Sequence, residues 1–146
     1  MQNKVYKSKI SYGVLVTIFL LFFGIFIYQF FNNNATTSSL VIVSIIHSVT
    51  LLFLVYMFVS IKYIIQNKVL KIKCSVFFDK TIAIDSITKI EKTNSLLSSP
   101  AASITDRIEL SYNKFDTIII SPKCKSDFIK NVLEVNPRIL VDAKLK

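Results

Sequence analysis

Residues 12–31, YGVLVTIFLLFFGIFIYQFF, and residues 40–61, LVIVSIIHSVTLLFLVYMFVSI, decide the architecture of this chain. Neither run contains Lys, Arg, Asp or Glu. At about 1.5 Å per residue, a helix of about 20 residues matches the roughly 30 Å of hydrocarbon in a bilayer. A charge at the centre of such a helix would cost about 3 kcal/mol, whereas each Leu, Ile, Phe or Val favours insertion. The sequence therefore predicts two transmembrane helices joined by an external loop at residues 32–39.

Each predicted span has lysines at only one of its ends, the end away from the connecting loop. Lys4, Lys7 and Lys9 precede the first span, the connecting loop has none, and Lys62 follows the second. Basic flanks stay in the cytoplasm, so we predict a two-span protein of the cell membrane with both termini cytoplasmic. A signal peptide also has a basic start, but this apolar run is too long for one and a second run follows. Residues 1–11 are then a cytoplasmic N-terminal segment.

Residues 62–146 contain all nine acidic residues and predict a small cytoplasmic domain rich in strands. Strands are expected where apolar and polar residues alternate or where β-branched residues cluster between turn residues. The predicted strands are Val69–Cys74, Val76–Phe78, Thr81–Ile84, Lys89–Thr93, Arg107–Tyr112 and Phe115–Ile120. Turns are expected at Asp79-Lys80 and Asn113-Lys114, and the second of these closes a β-hairpin.

One amphipathic helix is predicted after the last strand. Ser121-Pro122 supplies an N-cap residue and a proline suited to the first helical position. Phe128, Ile129, Val132, Leu133 and Val135 then form an apolar stripe, and the helix should end before Pro137. With so few residues after the second span the core of this domain is small, so attachment to the hairpin should help to hold it.

Two motifs in this domain resemble a known family. Residues 98–112, SSPAASITDRIELSY, are followed by residues 118–123, IIISPK, and by Phe128-Ile129. In this order they resemble the small bacterial pleckstrin-homology-like (PH-like) proteins of the YyaB-like group, over residues 63–139. Cys124 departs from that pattern, since the family often has an acidic residue at the start of its helix.

The resemblance implies a fold and a range of functions. The implied fold class is α+β: a two-helix transmembrane hairpin followed by a small PH-like bent antiparallel β-barrel, capped by a C-terminal helix. Members commonly carry one or two N-terminal spans, as predicted here. Some relatives look like immunity proteins against membrane-active bacteriocins, and fold similarity alone does not extend that role to this chain.

The residue types present exclude several kinds of chemistry from the predicted domain. Both glycines, Gly13 and Gly24, lie in the first span, so the domain cannot build a glycine-rich phosphate loop and nucleotide binding is not expected. The net charge of +9 comes without a basic run or a nucleic-acid-binding motif, so no nucleic acid partner is expected. Cys74 and Cys124 have no second ligand at metal spacing. We therefore predict no cofactor, no metal and no enzymatic activity.

The sole histidine, His47, lies inside the second span, away from the predicted domain. An ionisable residue within a membrane is a candidate functional group. Alternatively, His47 is a neutral imidazole that bonds Ser44, Ser48 or a polar group of the first span. Neither interpretation supplies a histidine to the cytoplasmic domain, so the common Ser-His and Cys-His nucleophile pairs are not available there.

The candidate binding residues fall into three groups. Lys68, Lys71 and Lys73 follow the second span and could meet headgroup phosphate, although a topology signal and a solvated strand explain them equally well. Leu96, Leu97 and Pro100 lie in the uncharged loop at residues 94–103, which either contacts a partner or folds back onto the core. Arg107 either contacts a ligand or pairs with another acid, such as Glu109 on its own strand face, to support this loop.

We therefore predict a non-catalytic, membrane-tethered PH-like binding or scaffold protein. Its partners would be bilayer lipid, another membrane protein or further copies of itself. Immunity or envelope protection against a membrane-active peptide is the most specific form of this prediction. The alternative is an accessory subunit of a membrane transporter or enzyme complex, whose chemistry a partner would supply.

Overall fold

The computed structural model describes residues 3–31, 36–75, 78–95 and 100–145, except for the side chain of residue 144. The chain divides into two compact units: Ser11–Met57 forms one, and the segments on either side of it form the other. The helices are α1 (Tyr12–Phe31), α2 (Thr37–Val59) and α3 (Lys125–Val135). The strands are β1 (Lys4–Lys7), β2 (Lys62–Gln66), β3 (Val69–Cys74), β4 (Phe78–Ala83), β5 (Ile87–Thr93), β6 (Arg107–Tyr112), β7 (Asp116–Ile120) and β8 (Leu140–Val141).

The first unit consists of the two apolar helices α1 and α2. Both are long and apolar enough to cross a membrane, and none of their described side chains is buried within the protein. Helix α1 has the predicted bounds. Helix α2 begins at Thr37, three residues before its predicted start, and ends at Val59. It ends before the predicted Ile61 because that side chain is only 5% exposed and belongs to the core of the other unit.

The second unit is a domain built from two four-stranded sheets. The first sheet has the antiparallel order β1-β2-β3-β4, and the second has the order β7-β6-β5-β8, in which only β8 runs parallel to its neighbour. A 3₁₀ turn at Ile84–Ser86 carries the chain from the first sheet to the second. At another corner, Ser8 bridges to Pro122 and joins β1 to the end of β7. The predicted α+β fold class is confirmed.

Alternation along the strands directs one face of each sheet into a shared core. Side chains from both sheets and from α3 meet there, including Leu70, Ile72, Ile90, Leu110, Ile120 and Phe128, none of which is measurably exposed. The predicted inward residues of β6, which are Ile108, Leu110 and Tyr112, are all buried. Helix α3 covers the core with Phe128, Ile129 and Val132 and ends at Val135, before Pro137, as predicted.

Two local predictions are wrong. The turn expected at Asp79-Lys80 does not form, because both residues lie within β4 and pair with Lys73 and Ile72 of β3. The helix expected at Ser121-Pro122 begins at Lys125 instead. The backbone at Ser121 remains extended because its carbonyl pairs with the segment before α1, accepting a hydrogen bond from the N–H of Lys9.

The segment before α1, predicted only as a cytoplasmic N-terminal segment, supplies an edge strand. Strand β1 pairs antiparallel with β2, from Lys4 opposite Ile65 to Lys7 opposite Lys62. Its Tyr6 is 8% exposed and packs edge-to-face on Phe128, with ring centroids 5.3 Å apart. The apolar helices are therefore an insertion between two neighbouring strands of one sheet.

Candidate functional site

Three buried hydroxyl groups, from Ser8, Tyr63 and Ser121, meet where the two sheets join. Ser8 Oγ lies 2.8 Å from Ser121 Oγ and 3.2 Å from the Tyr63 hydroxyl. The Tyr63 hydroxyl donates to the carbonyl of Pro100 at 3.0 Å and accepts from the N–H of Ser121 at 3.0 Å. Burial raises the pKa of Tyr63, so this hydroxyl stays protonated at neutral pH. The cluster joins the strand before α1 to the strand after α2.

The second half of the predicted loop packs onto this hydroxyl cluster. The N–H of Ala102 donates to Ser8 Oγ at 3.1 Å, and the N–H of Ser103 donates to Ser121 Oγ at 3.3 Å. Ala102 and Ser103 are both buried, and Pro100 is half-buried. This part of the loop therefore contributes to the fold. Of the loop candidates, Leu96 and Leu97 lie outside the described residues.

Asp106 links this loop to two lysines. Lys9 Nζ lies 2.8 Å from one carboxylate oxygen, and Lys125 forms an ion pair with the other. Hydrogen bonds from Lys125 and then from Lys9 hold the pKa of Asp106 below its usual value of 3.8. The carboxylate is therefore ionised at neutral pH, and it connects the segment before α1 with the first turn of α3.

Arg107 is buried, with only 6% of its surface exposed. Its guanidinium donates from Nη1 to the carbonyl of Ser95 at 2.9 Å and from Nε to the carbonyl of Ser103. Burial lowers the pKa of Arg107 from its usual value. The predicted ion pair with Glu109 is wrong, because the chain from Ser103 folds over the side chain and offers it carbonyl oxygens. Arg107 holds the two ends of the loop together.

The three candidate lysines after α2 do not form one group. Lys71 and Lys73 lie on the outward face of β3, whereas Lys68 lies in the tight turn between β2 and β3 with a φ of 63°. Lys68 lines a groove of about 370 Å³ between the first sheet and α3, together with Lys4, Asn67, Asn131 and Glu134. The strand register places Lys7 and Lys62 beside Lys73 instead. In the sequence, those two lysines are recognisable only as topology signals.

Asn131 and Lys4, which line this groove, belong to a network of satisfied polar groups. Asn131 is 4% exposed, accepts a hydrogen bond from Lys4 and donates to the Tyr6 hydroxyl. The Tyr6 hydroxyl donates to Asp127 at 2.9 Å. Burial and the hydrogen bond to Asp127 raise the pKa of Tyr6 to about 12. These contacts hold β1 against α3, and they use polar groups that a ligand would otherwise engage.

His47 in the hairpin bonds to its own helix. Its Nδ1 lies 2.9 Å from the carbonyl of Val43, and its ring meets the ring of Phe22 edge-on at 5.6 Å. Among the described residues, none of the predicted partners, Ser44, Ser48 or a polar group of the first span, bonds this imidazole. The Ser44 hydroxyl donates to the carbonyl of Leu40 instead. A groove of about 310 Å³ between the two helices is lined by this histidine, by Ser44 and Ser48, and by four phenylalanines of α1.

The two cysteines lie apart in the domain, Cys74 half-buried at the end of β3 and Cys124 exposed before α3. Burial raises the pKa of the Cys74 thiol, which makes it less reactive. Within the described part of the chain, no three His, Cys, Asp or Glu side chains come close enough together to hold a metal ion.

Comparison with known proteins agrees with this architecture. Residues 61–136 match the model of the bacterial PH domain family, which spans the chain from the entry into β2 to the end of α3. No curated protein and no solved structure shows significant similarity to the chain. The resemblance seen in the Ser-Pro and Asp-Arg motifs is thus confirmed over nearly the same residues. The match covers more than half of the sequence, and the chain belongs to the bacterial PH domain family.

Proposed function

We propose that this chain is a non-catalytic binding or scaffold protein, tethered to the cell membrane by the hairpin of α1 and α2. The observation that carries the proposal is the pairing of β1 with β2 across the inserted hairpin. Because one strand leads into α1 and its neighbour follows α2, the domain has two covalent connections to the apolar helices. A domain held in this way stays at high local concentration near any membrane partner, whatever its own affinity.

The contacts on the domain side of the two connections support the proposed tether. Ser8 bonds Ser121, and Lys9 bonds Asp106, within the few residues that precede α1. After α2, Ile61 and Tyr63 are buried in the core of the domain. The residues on the domain side of each connection are therefore packed into the domain, so little free chain is left to act as a flexible linker. Attachment to the membrane is then a property of the fold and does not require lipid binding.

We further propose that the domain and both termini are cytoplasmic, because lysines lie on both flanks of the hairpin and none lies in the loop between its helices. A cysteine placed at Ser38, an exposed residue at the start of α2, tests this. In intact cells a membrane-impermeant maleimide should label the Ser38→Cys variant. It should leave the natural chain, with Cys74 and the exposed Cys124, unlabelled until the membrane is permeabilised. Labelling of the natural chain in intact cells would place the domain outside and contradict this topology.

The most specific form of the proposal is protection of the membrane against a membrane-active peptide. Deletion of the gene should then lower the peptide concentration that inhibits growth, and the natural chain supplied in trans should restore it. Supplying the Phe115→Ala variant, altered at a largely exposed side chain, should restore it equally. If the deletion strain and its parent respond alike to a panel of such peptides, the protective role is excluded, while the scaffold proposal itself remains open to crosslinking.

An accessory role in a larger membrane complex is the second candidate, and the groove around His47 favours it. Ser44, His47 and Ser48 bring polar groups to one face of a helix in lipid, where polar side chains commonly contact other helices. Crosslinking in cells followed by purification separates the two roles. An obligate subunit should carry one dominant partner in a fixed ratio. A scaffold or protective protein should carry its own copies or several minor partners.

A further inference from the structure

The outward face of the first sheet carries a row of three lysines on three adjacent strands. In the strand register, Lys7 of β1 lies opposite Lys62 of β2, and Lys62 lies opposite Lys73 of β3. Neighbouring strands are about 4.8 Å apart, so the Cα atoms of this lysine row span only about 10 Å. All three lysines are exposed. No contiguous stretch of the sequence shows this cluster, because the residues come from both sides of the hairpin.

Like charges placed directly opposite each other destabilise a sheet unless counter-charges are bound. Asp79 supplies one such charge at the end of the row, with its carboxylate 3.5 Å from Lys73 Nζ. Within residues 3–31, 36–75, 78–95 and 100–145, no carboxylate forms an ion pair with Lys7 or Lys62. The lysine row thus has an unbalanced positive charge and attracts an anionic surface.

The next row on the same face combines apolar side chains with a fourth lysine. Val5 of β1 lies opposite Ile64 of β2, and Ile64 lies opposite Lys71 of β3. Val5 is 56% exposed, and Ile64 is half-buried. Exposed aliphatic side chains next to lysines suit the boundary between headgroups and acyl chains, where both kinds of group are stabilised.

Chain connectivity keeps the lysine row close to the apolar helices. Lys62 is three residues beyond Val59, the end of α2, and Lys7 is five residues before Tyr12, the start of α1. A chain extends by at most about 3.5 Å per residue, so Lys62 lies within about 10 Å of the end of its helix. The headgroup region of a bilayer has a comparable thickness.

We propose that the outward face of the first sheet, comprising Lys7, Lys62, Lys71 and Lys73, binds the anionic phospholipid headgroups of the membrane that holds the hairpin. This inference rests on the proposed membrane tether and adds a ligand to it. The ligand contributes phosphate charge between the amines of the lysine row. Lys68 has no part in this surface, because it lines the groove on the other side of the β2–β3 turn.

The test measures the acetylation rate of each lysine in the full chain, held in nanodiscs of phosphatidylcholine or of an equal mixture with phosphatidylglycerol. With phosphatidylglycerol, acetylation of the four lysines of this surface should slow by about fivefold each, and added salt should reverse the effect. Lys92 and Lys114, exposed in the second sheet and its hairpin turn, are internal controls and should keep their rates. In the Lys62→Gln variant, protection of Lys7 and Lys73 should weaken, whereas Lys92→Gln should not alter it.

Three results would overturn the proposal. Equal rates in the two kinds of nanodisc would show that the surface does not bind anionic lipid. Equal slowing of Lys92 and Lys114 would show a general effect of surface charge. If inorganic phosphate, added to phosphatidylcholine nanodiscs, slows acetylation of these lysines as strongly as phosphatidylglycerol does, the surface is a site for a free anion. In each of these cases the chain would still remain in the nanodisc, so the proposed tether would stand independently.

Discussion

Replacing Phe128 with alanine is expected to destabilise the domain by about 3–5 kcal/mol, because this aromatic side chain is wholly buried. Its ring packs edge-on against Tyr6 and against Tyr63, with centroid distances of 5.3 and 6.4 Å. The cavity would therefore open where α3 meets strands from both sides of the inserted hairpin. Hydrogen exchange of the β6 amides, measured on the full chain in detergent, should accelerate by about a thousandfold.

Phe115 provides the matched control, since it is the same residue type with 87% of its surface exposed. It lies in the turn between β6 and β7, and Phe115→Ala should change stability by no more than about 0.5 kcal/mol. Similar exchange rates for the two variants would contradict the assignment of Phe128 to the core. Retention of both variants in the membrane is expected, because the apolar helices are unchanged.

Replacing Arg107 with methionine is expected to cost about 2–3 kcal/mol and to loosen the loop. Methionine keeps much of the buried volume but leaves the carbonyls of Ser95 and Ser103 without the donors that the guanidinium provides. Each buried carbonyl left without a partner costs about 1–3 kcal/mol, partly offset because a desolvated charge is removed. Hydrogen exchange should accelerate most in residues 100–106, and a thermal unfolding transition should shift downward.

Arg138 is the other arginine of the chain, and it is exposed. Arg138→Met should leave both the exchange of residues 100–106 and the unfolding transition unchanged, within about 0.5 kcal/mol. If Arg107→Met is equally silent and only reduces binding to a partner, then Arg107 contacts a ligand and does not support the loop. Arg107→Lys should be intermediate, because a single ammonium group cannot reproduce the two fixed directions of the guanidinium.

Residue patterns were enough to locate most individual elements. The bounds of α1 and β3 and the position of the β6–β7 hairpin follow from long apolar runs, alternation and turn residues, all of which are local properties. The Asp79-Lys80 turn was predicted wrongly because polar residues also occur on the outward face of a paired strand. Ser121-Pro122 has the composition of a helix start, but pairing with Ser8 and Lys9 keeps this segment extended.

The arrangement of the candidate binding residues was harder to predict from the sequence than the individual elements, because it depends on tertiary contacts. Arg107 has the sequence context of an exposed strand residue, and its burial results from a loop that folds back over it. The separation of Lys68 from Lys71 and Lys73 follows from the tight β2–β3 turn, in which Asn67 and Lys68 both have positive φ values. Side-chain type did not reveal either arrangement.

Two apolar helices, a strand-rich domain after them and membership of the bacterial PH domain family could all be predicted from the order of residues alone. These features depend on the length of apolar runs, on the alternation of apolar and polar residues and on short motifs, all of which involve residues close together in the sequence. Strand pairing, in contrast, was needed to reveal that the residues before α1 belong to the domain and that Lys7, Lys62 and Lys73 form one row. The physical reason is strand register: hydrogen bonding between β1 and β2 aligns residues that are separated in the chain by the whole hairpin.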